Sequence, residues 1–82
     1  METGTRERLR HQVAEEIRAQ LGRKQMSGAK LARAIDQSEM YVSRRLRGET
    51  AFDLDDLERI ADVLGVTVTD LMPSAKVRPN NR

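Results

Sequence analysis

A chain of 82 residues is one domain at most, and on folding it buries only roughly 60% of the surface its unfolded form exposes, which leaves no room for a catalytic cleft between domains. It has no cysteine, so neither a disulfide framework nor a Cys-ligated zinc site holds it together, and its one histidine, His11, provides no cluster for a metal or for base catalysis. The net charge of +2 hides an asymmetry: Gly22 to Gly48 carries seven basic residues against two acidic ones, whereas Glu49 to Met72 carries seven acidic against one basic. That division suits one face to a polyanion and another to solvent or a protein partner.

The first predicted helix starts near Thr5 and carries Leu9, Val13, Ile17 and Leu21, an i, i+4 apolar stripe that Gly22 ends. Ser27 is the expected cap of a second, short helix ending near Ile35, with Met26, Leu31, Ala32 and Ile35 turned inward. Asp36-Gln37-Ser38 reads as a tight polar turn, and Ser38 caps a third helix from Glu39 to Arg47 that Gly48 closes. Phe52 and Leu57 straddle Asp53 with the spacing of a hydrophobic staple. They open a fourth helix that presents Leu54, Leu57, Ile60, Ala61 and Leu64 and stops at Gly65. Its acids read as solubilising charge. Thr67 and Asp70 form a capping-box-like pair before a fifth helix of one or two turns holding Leu71 and Met72, and Pro73 ends it. Met26, Met40 and Met72 are expected to pack or to make contacts rather than to bind a cofactor.

The fold class expected is therefore all-α, five helices around a single core, since no alternating strand pattern or internal repeat is present. Residues 1–4 are expected to be a flexible N-terminus, 5–72 the folded domain and 73–82 a flexible basic tail. That tail has one large apolar residue, Val77, beside Lys76, Arg78 and Arg82. The N-terminus lacks the layout of a signal peptide and no apolar run is long enough for a membrane span, so the expected location is cytoplasmic, without membrane partners.

Two short helices joined by a turn of about three residues place Ala32 where their axes cross, with Val42 pointing back at it. With Val42 inward, helical geometry puts Met40, Arg44 and Arg47 on the far side as an exposed stripe. Such a stripe suits the DNA major groove, because Arg pairs bidentately with guanine O6 and N7 and an apolar tip touches a thymine methyl.

The stretch Ser27-Gly28-Ala29-Lys30-Leu31-Ala32-Arg33-Ala34-Ile35, joined through its turn to Ser38-Glu39-Met40-Tyr41-Val42-Ser43-Arg44-Arg45-Leu46-Arg47-Gly48, resembles the helix-turn-helix of phage Cro and lambda-type repressors, the XRE family. The segment Leu54 to Val66 resembles the next segment of that family's domain, and the likeness spans roughly Leu9 to Met72. The sequence departs from the family at three places. Asp36 stands where a turn glycine is usual, although Asp tolerates left-handed geometry. Gly28 stands where many members have a Gln that touches the DNA backbone, leaving main-chain N–H groups for phosphate. Arg45 stands at a usually apolar position, where its stem is expected to cover the core edge while the guanidinium reaches water or a carboxylate of the fourth helix.

The resemblance implies a sequence-specific double-stranded DNA-binding regulator, a phage or bacterial repressor that inserts its third helix into the major groove of an operator. The DNA-contacting set it implies is Ser27, Gly28, Lys30, Gln37, Ser38, Glu39, Met40, Tyr41, Ser43, Arg44 and Arg47. Glu39 has two readings, a base contact to cytosine N4 or a favourable charge at a helix start. Tyr41 likewise reads as a phosphate contact or as partly buried against the second helix. If the chain pairs as a homodimer, its operator is a pseudo-palindrome with half-sites roughly 34 Å apart. No catalytic residue, metal or cofactor is expected. The alternative is an antitoxin-like interaction module whose acidic face binds a toxin while the basic face autoregulates.

Overall fold

The computed structural model describes residues 3–73, with side chains described from Leu9 onward. Four α-helices run in order through these residues: α1 (Thr3–Arg23), α2 (Gly28–Ala34), α3 (Glu39–Leu46) and α4 (Leu54–Leu64), with a final 3₁₀ turn at Thr69–Leu71. There is no strand among the described residues. The expected fifth helix is this single 3₁₀ turn, although its predicted start is present: Asp70 N–H donates to Thr67 Oγ1 at 3.1 Å and Thr67 N–H to Asp70 Oδ2 at 3.0 Å. Of the expected tail 73–82, residues 74–82 lie outside the described residues; of the expected N-terminal segment 1–4, residues 1–2 do, while Thr3 and Gly4 begin α1.

The caps on α2 and α3 are the ones expected. Ser27 Oγ accepts from Lys30 N–H at 3.0 Å and Ser38 Oγ from Tyr41 N–H at 3.0 Å, each satisfying a donor that a helix start leaves without a partner. Asp53 caps α4 in a reciprocal box with Asp56. All four helices end alike, in a left-handed residue whose following N–H reaches back to a carbonyl of the last turn. The pairs are Met26 N–H to Leu21 O at 2.9 Å, Gln37 N–H to Ala32 O at 2.9 Å, Glu49 N–H to Arg44 O at 3.0 Å and Val66 N–H to Ala61 O at 3.0 Å. The left-handed residues are Gln25 (φ 55°), Asp36 (φ 62°), Gly48 (φ 81°) and Gly65 (φ 74°). Gly22 is thus inside α1, not at its end, and Gln25 makes the turn expected of it.

The core gathers Val13, Ala14, Ile17 and Leu21 of α1, Leu31 and Ala32 of α2, Val42 of α3, and Leu57, Ile60, Ala61 and Leu64 of α4, with Ile35, Phe52 and Leu71 from the connections. Fully burying one of the larger aliphatic side chains contributes about 1.5–3 kcal/mol, so Ile17, Leu31, Ile60 and Leu71 anchor the four parts of the chain that they belong to. Two expected core residues are not in it. Leu9 is 50% exposed, because an i, i+4 stripe drifts by about 40° per step and the buried side of α1 centres on Ile17, Leu21 and Ala14. Leu54 is 79% exposed at the first position of α4, whereas Leu57, one turn on, is buried.

Candidate nucleic-acid interface

The crossing of α2 and α3 is built as the residues dictate. Ala32 and Val42 are both buried, and the two helices pack closely, a spacing that a small side chain at position 32 permits. With Val42 turned inward, Met40, Arg44 and Arg47 are exposed on the opposite side, and with Glu39 and Ser43 they line a surface groove of about 410 Å³. Met40 is 62% exposed and brings an apolar tip to this groove.

Within this groove the two arginines differ. Arg47 is held: its Nε donates to Glu49 Oε2 at 2.8 Å and its Nη1 to Ser43 Oγ at 2.7 Å. The hydrogen bond from Arg47, opposed by desolvation and helped by the charges of Arg47 and Arg44, keeps the Glu49 carboxyl below the usual carboxylate range. Arg44 has no ion pair or side-chain hydrogen bond among the described residues, and its guanidinium faces solvent. Around them, Ser27, Lys30, Ser38 and Glu39 are exposed and Gly28, Gln37 and Ser43 are half-buried. Gly28 sits against Leu46, where a β-carbon would lie 3.3 Å from Cδ1, so the backbone at the start of α2 closes on the end of α3.

Tyr41 is half-buried and faces α4 rather than α2: its hydroxyl donates to Asp56 Oδ2 at 2.6 Å. Asp56 is only 1% exposed, so this acid of α4 is not solubilising charge; it also accepts from Asp53 N–H at 3.3 Å. The hydrogen bond to Asp56 is the main cause that raises the Tyr41 pKa above its ordinary value. Arg45 does not reach a carboxylate of α4. Its guanidinium carbon lies 3.5 Å from the centre of the Tyr41 ring and its Nη1 donates to Tyr41 O at 3.0 Å, which leaves its buried Nε without a partner.

Sequence reasoning missed what α1 does for α3. The last carbonyls of α3 are satisfied in turn by Arg47 N–H on Ser43 O, Glu49 N–H on Arg44 O, Gly48 N–H on Arg45 O, and the Arg18 guanidinium on Leu46 O. Arg10 Nη1 donates to Glu49 O at 3.2 Å, just past the end of α3. Cations from α1 therefore meet the negative end of the α3 dipole. The only trace of this in the sequence is that Arg10 and Arg18 fall beside the apolar stripe of α1, at two-turn spacing.

The helix-turn-helix family profile matches residues 15–71, more than half of the chain, and the protein belongs to this XRE-type family. No curated protein sequence matches significantly. Among solved structures, the hypothetical transcription factor NHTF from Neisseria is similar with 31% identity and a TM-score of 0.73, over 78% of this chain and 74% of that one. The clp gene regulator ClgR from Corynebacterium glutamicum is similar with 26% identity and a TM-score of 0.72, over 76% of this chain and 66% of that one. Hydroxypropylphosphonic acid epoxidase from S. wedmorenis is similar with 29% identity and a TM-score of 0.73, over 82% of this chain. The present chain spans only 36% of the epoxidase. No helix among the described residues is long and apolar enough to cross a membrane, and no group of side chains there has the make-up of a metal site.

Proposed function

We propose that the protein is a sequence-specific DNA-binding transcriptional regulator, a repressor of a phage or bacterial operator, with α3 as the recognition helix in the major groove. The observation that carries this reading is the exposed Met40–Arg44–Arg47 face on a helix whose opposite side is held by Val42 in the core that also contains Ala32. Arg44, which makes no ion pair or side-chain hydrogen bond among the described residues, is assigned to a guanine and Met40 to a thymine methyl. Lys30, Ser27, Ser38, the Gln37 side chain and the main-chain N–H groups near Gly28 are assigned to phosphates flanking the groove. Glu39, Ser43 and Arg47 line the same face, with Arg47 released from Glu49 when a phosphate or base competes for it. The regulators ClgR and NHTF, whose fold the chain shares, support the class of function.

The site is proposed to be read by a homodimer on a pseudo-palindrome with half-sites roughly 34 Å apart. The test is selection of a duplex from a random pool, followed by titrations on the selected and a scrambled duplex at several salt concentrations. Arg44→Ala is expected to weaken the selected duplex by about 1–3 kcal/mol and the scrambled one far less. Lys30→Ala is expected to weaken both alike and to lower the salt slope by about one unit. Equal loss on both duplexes for Arg44→Ala removes the base-reading assignment, and selection of no sequence at all removes the proposed function.

A further inference from the structure

We propose that Tyr41 and Asp56 act together as a positioning pair for α3, setting its rotation about its own axis and thereby the aim of the Met40–Arg44–Arg47 face. This rests on the proposed DNA-binding function for its consequence but not for its geometry. The backbone of α3 packs most closely against α2, then α1, and less closely against α4. On the α2 side, Val42 is fixed by the core. On the α4 side the hydrogen bond that holds α3 is the one from Tyr41 to Asp56, at 2.6 Å across fifteen positions of sequence.

The acceptor is fixed as firmly as a side chain can be. Asp56 is 1% exposed and lies in the first turn of α4, where the helix dipole favours its charge and the capping box with Asp53 fixes its rotamer. A buried carboxylate left without its hydrogen bonds is costly, so Tyr41 cannot leave without exposing that cost. Arg45 closes the other side, its guanidinium stacked 3.5 Å from the centre of the Tyr41 ring and tied to Tyr41 O. Tyr41 and Arg45 are one turn apart on the flank of α3, away from the exposed face. A rotation of α3 that swung Arg44 and Met40 sideways must break this contact as well as move Val42 in the core. Tyr41 is on this account a positioning residue rather than a phosphate contact.

The test uses the full chain with Tyr41→Phe and Asp56→Asn. Tyr41 is the only tyrosine and there is no tryptophan, so tyrosinate absorbance reports on Tyr41 alone. In the absence of DNA, Asp56→Asn is expected to lower the Tyr41 pKa toward its ordinary value, and Tyr41→Phe to shift the backbone amide resonances of Met40, Arg44 and Arg47 with the fold intact. On DNA, Tyr41→Phe is expected to reduce discrimination between selected and scrambled duplexes about tenfold, the scale of one hydrogen bond to a charged group, with an unchanged salt slope. Asp56→Asn, which keeps a carbonyl acceptor for the hydroxyl, is expected to retain most of the discrimination. Loss of affinity for both duplexes with a lower salt slope overturns the proposal, because the hydroxyl then serves a phosphate. Unchanged discrimination overturns it as well. If the unmodified chain selects no sequence, the DNA reading fails by itself, and the amide resonances of α3 decide alone: shifted, they support the pair; unmoved in Tyr41→Phe, they overturn it.

Discussion

Gly48 lies directly beneath the ring of His11: a β-carbon at position 48 would sit 2.1 Å from His11 Cδ2, and the residue is left-handed at φ 81°. Both facts oppose any side chain there, but they separate experimentally. Gly65 is left-handed at φ 74° with nothing within 4 Å, so Gly65→Ala measures the backbone cost alone, about 1 kcal/mol. Gly48→Ala is expected to cost about 1 kcal/mol more by chemical denaturation. Adding His11→Ala should recover the difference; a double variant no more stable than Gly48→Ala would show that the ring is not the obstacle.

Gln25 and Asp36 occupy left-handed turns with β-carbons in place, and neither is glycine. Gln25→Gly is expected to raise stability by about 0.5–1 kcal/mol, the relief of backbone strain exceeding the added entropy of the unfolded chain. Asp36→Gly should gain less, since Asp tolerates this conformation. A lower melting temperature for Gln25→Gly than for the parent chain would contradict the turn geometry.

Ala32 is buried at the crossing of α2 and α3, whereas Ala34 at the end of α2 is exposed. Ala32→Leu is expected to cost about 1–3 kcal/mol through overpacking, and Ala34→Leu to be nearly neutral. Equal thermal melts for the two would mean that the helices do not cross at Ala32.

The Tyr41–Asp56 bond also makes stability depend on alkaline pH. Asp56 raises the pKa of Tyr41 in the folded state, so the folded chain holds the phenolic proton more tightly than the unfolded one. The stability from this difference is whole below about pH 10, the unfolded value, and is lost as pH rises through the folded pKa. Urea midpoints measured across this range should fall with pH, and less steeply in Asp56→Asn; parallel curves would argue against a carboxylate as the cause.

The features legible in the sequence were local ones. Ser27 and Ser38 cap helices three residues away, Asp36 turns a chain that reverses within a few residues, and Ala32 faces Val42 across a single turn, so each decision is made by neighbours in sequence. Periodicity told the direction in which Leu9 and Leu54 point but not whether the fold puts anything opposite them. Asp56 looked like one acid among several on α4, because nothing in its own helix announces that Tyr41 arrives from fifteen residues before. Gln25 was hidden behind Gly22, the residue whose flexibility made it the more natural stop.

The hold of α1 on the end of α3 bears on how small a DNA reader of this design can be made. A peptide from residue 27 to 48 would contain every proposed contact, yet α3 is only eight residues long, and isolated helices below about 12–15 residues are marginal in water. Arg18 and Arg10, which satisfy carbonyls at and just beyond its C-terminal end, come from 28 and 39 residues away in sequence. Miniaturisation would therefore remove the clamp while keeping the letters, and a designer shortening this domain would have to rebuild that end of α3 with a staple or a lactam before any groove could be read.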